Sequence, residues 1–316
     1  MTERSVRLPV VDLSAPGRGR TTAEGEQLER YRESLLKFRD KYMDFPQWVS
    51  VETLALCNAA CDFCHYPDMQ RKGVRMPDEV FEFIIDDLTR IPHRFGFTPV
   101  RVNEPFLDTR LFEFLRLACD RLPRADLYMV TNGTPLVDPV VDRLVALNRV
   151  KRLNISFNDH REAEYERAMQ LRYGQTLARL DRLHERALAG ELNFEVSISR
   201  VGDNTPADDA FIAWVRARWS AFGATSHPRA DWTGAVDIST DFKVPDVACA
   251  QWFKLNILAD GKDAFCCLDP TGDHGYGSVP DRTPLELYNA PGKRELREKL
   301  TSRLDISVCR MCPILV

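Results

Sequence analysis

The sequence predicts an α/β fold with a parallel sheet. Strand-like and helix-like stretches alternate between residues 48 and 229, giving at most six strand-then-helix units. The chain has 316 residues, 44% hydrophobic and 28% charged, which suffices for one large domain or a large domain with a small one. Three cysteines follow the first strand, at the strand end where chemistry collects in parallel α/β folds. Alternation alone leaves a partial barrel and an open doubly wound sheet as rivals, since six units are fewer than the eight of a closed barrel.

Residues 1–20, rich in Arg, Pro, Gly and Ser, read as extended or loose. Residues 21–45 read as a helix with Leu28, Tyr31, Leu35, Leu36 and Phe38 as its apolar positions. "WVSVETLAL" (48–56) is the first strand and ends at the cysteines. "MPDEVFEFIIDDLTRI" (76–91) is a helix with Pro77 in its first turn. "TPVRVN" (98–103) is a strand and "TRLFEFLRLACDRL" (109–122) a helix whose Cys119 lies on the apolar face as a core residue. "ADLYMVT" (125–131) is a strand, "NGT" a turn, "DPVVDRLVAL" (138–147) a helix, and "VKRLNISF" (150–157) the fourth strand. Residues 160–189 read as largely helical. "NFEVSISR" (193–200) is the fifth strand, "PADDAFIAWVRARWSAF" (206–222) a helix and "GATSHPR" (223–229) a last strand. The character then changes. Residues 249–316 hold five cysteines, strand-like "FKLNILAD" and "DAFCCLD", and a helix over 290–302, in a segment too small for much core unless a metal staples it.

Formal net charge is −4, which argues against general nucleic-acid binding. No apolar run approaches the roughly 20 residues that span a bilayer, and the first 20 residues have no signal-peptide core. A cytoplasmic protein with no nucleic-acid or membrane partner is the expectation. There, nine cysteines are not a disulfide framework. Eight fall into two groups, at 57, 61, 64 and at 249, 266, 267, 309, 312, as metal or iron–sulfur ligands do. A structural zinc site wants four ligands, and only the cramped His65 could close the first group. Three thiolates suit a cubane cluster with one iron left open.

At Cys57-x3-Cys61-x2-Cys64, with Phe63 before the last cysteine, the chain resembles the radical S-adenosylmethionine (SAM) enzymes. The resemblance runs from about residue 45 onward. It implies a partial (β/α)6 TIM barrel, with Cys57, Cys61 and Cys64 on a [4Fe–4S] cluster whose fourth iron takes the amine and carboxylate of SAM. "VRVNEPF" resembles the Gly-Glu-Pro segment, with Asn103 in place of the glycine and Glu104 as partner of the SAM ammonium. By the same resemblance Phe63, Asn132, Ser156 and Arg200 are cofactor-binding candidates, Ser156 towards the ribose and Arg200 towards the carboxylate. Ser199 and Arg200 lie on opposite faces of one strand, so only one can line the site.

The second cysteine group resembles the SPASM/twitch auxiliary-cluster region, through Gly261, the paired cysteines with Asp269, and Cys309-x2-Cys312. The domains implied are an extension over 1–45, the barrel over 46–235 and the SPASM/twitch region over 236–316. Cys249, Cys266, Cys309 and Cys312 would hold a second [4Fe–4S] cluster, although a zinc ribbon fits the same four. One thiol is left over: Cys267, or Cys249 if both paired cysteines bind. A spare thiol that returns hydrogen to a substrate carbon makes the reaction an epimerisation. A substrate radical oxidised through the cluster makes it a dehydrogenation, with His160 a candidate base. A peptide-modifying maturase is a third reading. The small relatives suggest a sugar or aminoglycoside-like substrate, with Asp159, Glu162, Asp231 and Asp269 as acids for a polyamine, and a flavodoxin or ferredoxin as reductase.

Overall fold

A computed structural model describes residues 22–203, 205–236, 244–312 and 314; the loose stretch expected at 1–20 lies outside them. The order is α1 (Thr22–Tyr42), β1 (Trp48–Val51), α2 (Asp78–Leu88), β2 (Phe95–Thr98), α3 (Leu111–Arg121), β3 (Ala125–Thr131), α4 (Asp138–Leu147), β4 (Val150–Ser156), α5 (Glu162–Met169), α6 (Tyr173–Leu188), β5 (Glu195–Gly202), α7 (Pro206–Arg218) and β6 (Gly223–Pro228). Then come β7 (Lys254–Ile257), β8 (Asp263–Ala264), α8 (Pro284–Tyr288) and α9 (Pro291–Lys299). One sheet runs β6-β5-β4-β3-β2-β1-β7-β8. Every pair is parallel except β7 with β8. Sequential parallel neighbours joined through helices give the partial TIM barrel that the sequence predicts.

Register sorts the side chains into two faces. Val49, Phe97, Leu127, Leu153 and Ile198 belong to the buried core under the helices. The alternate positions face inward. Trp48 pairs with Gly96 on one side and Lys254 on the other; Ser50 pairs likewise with Thr98 and Asn256. Asn154 pairs with Ser197, and Ser156 with Ser199. The inward face of the strands is therefore mostly polar.

One expectation is corrected. The second strand is β2 at 95–98, not 98–103. Phe95 and Phe97 are both buried, and Gly96 leaves room for the Trp48 indole, which a Cβ there would meet at 2.2 Å. Residues 99–104 are instead a loop at the strand's C-terminal end. Residues 160–189 are largely helical as expected, in two helices, since Gln170, at φ 55, ends α5 in the left-handed conformation. β7 pairs with β1 and extends the barrel sheet. α1 packs Leu28, Tyr31, Leu35 and Phe38 with Trp252, Phe253 and Phe265, so the C-terminal segment gains its core from the N-terminal helix. Cys119 is half-buried against the main core. Among the described residues no helix is long and apolar enough to cross a membrane.

Candidate active site

The loop after β1 carries the first three thiols. Cys57 and Cys64 each accept a backbone N–H from two residues on: Ala59 to Cys57 Sγ at 3.4 Å and Tyr66 to Cys64 Sγ at 3.4 Å. Such bonds favour a thiolate. Cys61 Sγ lies 3.5 Å from Met169 Sδ. Burial works the other way. It pushes the Cys57 thiol up to about 11, and Cys61 and Cys64 up as well, so the free thiols keep their protons. A cationic iron–sulfur core displaces those protons on loading. Three sulfurs on one tight loop, two already turned towards N–H donors, fit a three-thiolate cluster. Phe63 holds the loop through its backbone, its carbonyl accepting Trp232 Nε1–H at 2.9 Å, while Arg229 lies 5.9 Å above its ring.

Glu104 is the buried carboxylate of this end of the barrel, at 2% exposure. It accepts Asn132 N–H at 2.7 Å, Thr131 Oγ1–H at 2.9 Å and Phe106 N–H at 3.3 Å. All are neutral donors, and no Lys or Arg among the described residues pairs with it. Burial raises its pKa to about 7 despite those bonds. A carboxylate so placed fits an incoming ammonium, as SAM would bring. Asn103 is not among the residues with positive φ, so an asparagine where the resemblance expects glycine strains nothing here. Its Oδ1 accepts Arg101 N–H at 2.8 Å and shapes the loop. Asn132 ties this wall to the cysteine loop, donating from Nδ2 to Asn58 Oδ1 at 2.7 Å. Asn58 and Thr131 escaped sequence reasoning; the nearness of Asn58 to Cys57 was the only signal.

Ser156 lies on the inward face with Ser199, its register partner. Arg200 lies on the opposite face. Its guanidinium donates to Asp208 Oδ1 at 2.7 Å, to Asp159 Oδ2 at 2.8 Å and to the Asn158 carbonyl. It is already employed and turned from the lumen, so of the two neighbours Ser199 is the inward one. The expected base His160 also faces outward, its ring 5.6 Å from Trp214. The four acids proposed for a polyamine are spent elsewhere or exposed. Asp159 pairs with Arg161 and Arg200. Asp269 accepts the N–H groups of Phe265, Gly272 and His274. Asp231 caps Thr233 N–H, and Glu162 is exposed at the start of α5.

The five C-terminal cysteines, 249, 266, 267, 309 and 312, line one small cavity. Among the described residues no three His, Cys, Asp or Glu side chains are drawn around a point as one metal ion needs. The thiols ring a space instead. Arg303, buried, donates to the carbonyls of Val247 and Ala248 and acts electrostatically on Cys249, Cys309 and Cys312. Trp252 Nε1 is a buried donor with no hydrogen-bond partner among the described residues, and it lies close to Cys309, whose thiol burial pushes up to about 12. A cation and a spare N–H beside several thiols fit an anionic cluster. Leu268 N–H donates to Cys266 Sγ at 3.4 Å, repeating the two-residue turn of Cys57 and Cys64. Cys267 has no such bond among the described residues. Burial raises its pKa, while Lys254 and Arg101 pull it down. Lys254 belongs to the inward row of β7, and Cys267 lies within its electrostatic reach. Arg303, Trp252 and Lys254 were invisible to sequence reasoning, which weighed only cysteines and acids there. Gly261 turns β7 into β8 at φ +84, where a Cβ would meet the Val279 carbonyl at 2.5 Å.

The family model described as "Radical SAM superfamily" matches residues 51–204. No curated protein sequence matches the chain. Among solved structures, BtrN in complex with AdoMet and 2-DOIA aligns with TM-score 0.58 at 14% identity, over 85% of this chain and 93% of that one. SuiB of Streptococcus suis, bound to the precursor peptide SuiA, aligns with TM-score 0.63 at 12% identity, over 95% and 78%. anSMEcpe with bound AdoMet aligns with TM-score 0.59 at 15% identity, over 84% and 87%. At these identities the likeness is one of fold.

Proposed function

We propose that this chain, a radical SAM enzyme by the domain it carries, returns a hydrogen atom from Cys267 to a substrate carbon and so epimerises it. When bound, SAM and the cluster on Cys57, Cys61 and Cys64 supply a 5′-deoxyadenosyl radical that takes a substrate hydrogen. The chain's own residues do the rest. Glu104 receives the cofactor's ammonium, Asn132 and Asn103 hold the loops around it, and Ser156 faces the ribose side. Cys249, Cys266, Cys309 and Cys312 hold the auxiliary [4Fe–4S] cluster, with Arg303 offsetting its charge. Cys267 gives its hydrogen: the S–H bond breaks as a C–H bond forms on the opposite face of the carbon. The sulfur is restored by one electron, from a flavodoxin- or ferredoxin-type reductase, and one proton. The carrying observation is that Cys267 lies within electrostatic reach of Lys254, on the inward row of β7, while its neighbour Cys266 takes the N–H···S turn seen at Cys57 and Cys64.

The inward row of Ser50, Thr98, Asn154, Ser197 and Ser199 supports a small, hydroxyl-rich substrate of carbohydrate class. The employment of Asp159, Asp231 and Asp269 removes support for a polyamine. A reducing, cytoplasmic setting suits nine free thiols. Turnover in deuterated water tests the reaction. Epimerisation gives one deuterium on one carbon at unchanged oxidation state. A product two hydrogens lighter would make the enzyme a dehydrogenase and leave Cys267 without this role.

A further inference from the structure

Buried donors without partners gather on the strands and loop within electrostatic reach of Cys267. Lys254, first residue of β7, is half-buried and has no hydrogen bond or ion pair among the described residues; its Nζ lies 5.6 Å from the Trp48 ring centroid. Asn256, two residues on and on the same face, is 1% exposed, and its Nδ2 has no partner. Its Oδ1 accepts from Arg101 Nη1 at 3.0 Å, and Arg101 Nε is a second buried donor without a partner. Across β1, Thr98 Oγ1 is a third unpartnered polar atom. Lys254 and Arg101 both lie within electrostatic reach of Cys267. The nearby carboxylates cannot neutralise them. Glu52 is ion-paired with Arg71 and accepts Val102 N–H and Ala259 N–H, and Asp269 is filled by backbone. Unsatisfied buried donors are costly and are kept where a ligand satisfies them.

We propose that Lys254, Arg101 and Asn256 form an oxyanion subsite that holds a carboxylate or phosphate group of the substrate beside Cys267. Resting on the hydrogen-return reading above, this makes the substrate an anionic sugar or a similarly small hydroxylated acid. The oxyanion accepts from Lys254 Nζ, Arg101 Nε and Asn256 Nδ2, and its capture fixes which carbon faces the thiol. Two cationic side chains and an amide that keep unpartnered donors suit a group with several acceptor oxygens better than a lone hydroxyl.

Calorimetric titration of the anaerobically reconstituted protein with inorganic phosphate, and separately with acetate, tests the subsite and tells the two oxyanion classes apart. At least one anion binds, and Lys254→Met weakens it by about tenfold or more, whereas Lys254→Arg costs less. On the unmodified protein, the bound anion slows reductive methylation of Lys254 but not of the exposed Lys151, a readout that needs no variant to fold. No binding of either anion, equal binding by Lys254→Met, or no protection of Lys254 overturns the proposal. So does a variant whose sole change is the reduction potential of the auxiliary cluster, since the cation would then serve the cluster alone. Reductive cleavage of SAM by the wild-type protein is read in parallel. Its absence would sink the radical reading and leave the anion measurements standing; cleavage without anion binding would sink the subsite alone.

Discussion

Glu104 is buried among neutral donors, and that sets how the cofactor end of the site responds to pH. Its pKa is about 7 in the folded protein against 4.5 ordinarily, because burial disfavours the charged form. The folded state therefore binds its proton more tightly than the unfolded state does. The stability tied to that proton is fully present below pH 4.5 and is lost as pH rises through about 7, roughly 3 kcal/mol in all. Binding of a cation reverses the preference. SAM affinity should rise as pH passes through about 7 and then level off. Glu104→Gln should weaken SAM binding and flatten that profile, as equilibrium dialysis across pH 6 to 8 would read (about one unit either side of the midpoint). A wild-type affinity that is flat across this window would remove Glu104 from the ammonium. At Cys267 the contrast with Cys266 matters most. Cys267→Ala should abolish turnover yet leave 5′-deoxyadenosine formation, since the thiol acts after hydrogen abstraction. Persistent product formation by that variant would exclude the thiol as donor.

Among the elements, β2 and α1 carry the sharpest consequences. β2 is short and placed where sequence alternation did not mark it, because Gly96 sits in mid-strand under the Trp48 indole. Gly96→Ala would drive a methyl into that ring and should cost about 1–3 kcal/mol, seen as a lower denaturant midpoint at unchanged slope. An unchanged midpoint would mean that the indole is free to move. α1 was legible as a helix from Leu28, Tyr31, Leu35 and Phe38, but its destination was not. Nothing in a local pattern says that this face packs on Trp252 and Phe265, over 200 residues away. Phe38→Ala should cost about 3–5 kcal/mol and loosen the auxiliary region first. On anaerobic chelation, that variant should release iron from the C-terminal thiols before the loop at Cys57, Cys61 and Cys64. Equal loss from both sites would contradict the packing assignment.

At the scale of the whole molecule, the two thiol groups bracket one polar lumen. Cys57, Cys61 and Cys64 follow the C-terminal end of β1, and Cys267 lies within electrostatic reach of Lys254 at the N-terminal end of β7, the strand beside it. The strand–helix alternation, together with the resemblance carried by the cysteine spacing, was enough to read the partial barrel. The sequence could not show that β7 would extend the barrel sheet, because a four-residue strand has no periodicity of its own and gains its place by pairing with β1. Nor could it show which acids and cations are already employed: Arg200 and Asp159 satisfy each other, whereas Lys254 and Arg303 stand beside cysteines. The central claim is that four of the five C-terminal thiols hold a cluster and Cys267 is spare. Mössbauer counting of cluster iron in anaerobically reconstituted Cys267→Ala and Cys266→Ala tests it most directly. The account predicts about eight irons per chain in wild type and in Cys267→Ala, falling towards about four in Cys266→Ala. A fall in Cys267→Ala with Cys266→Ala unaffected would contradict it.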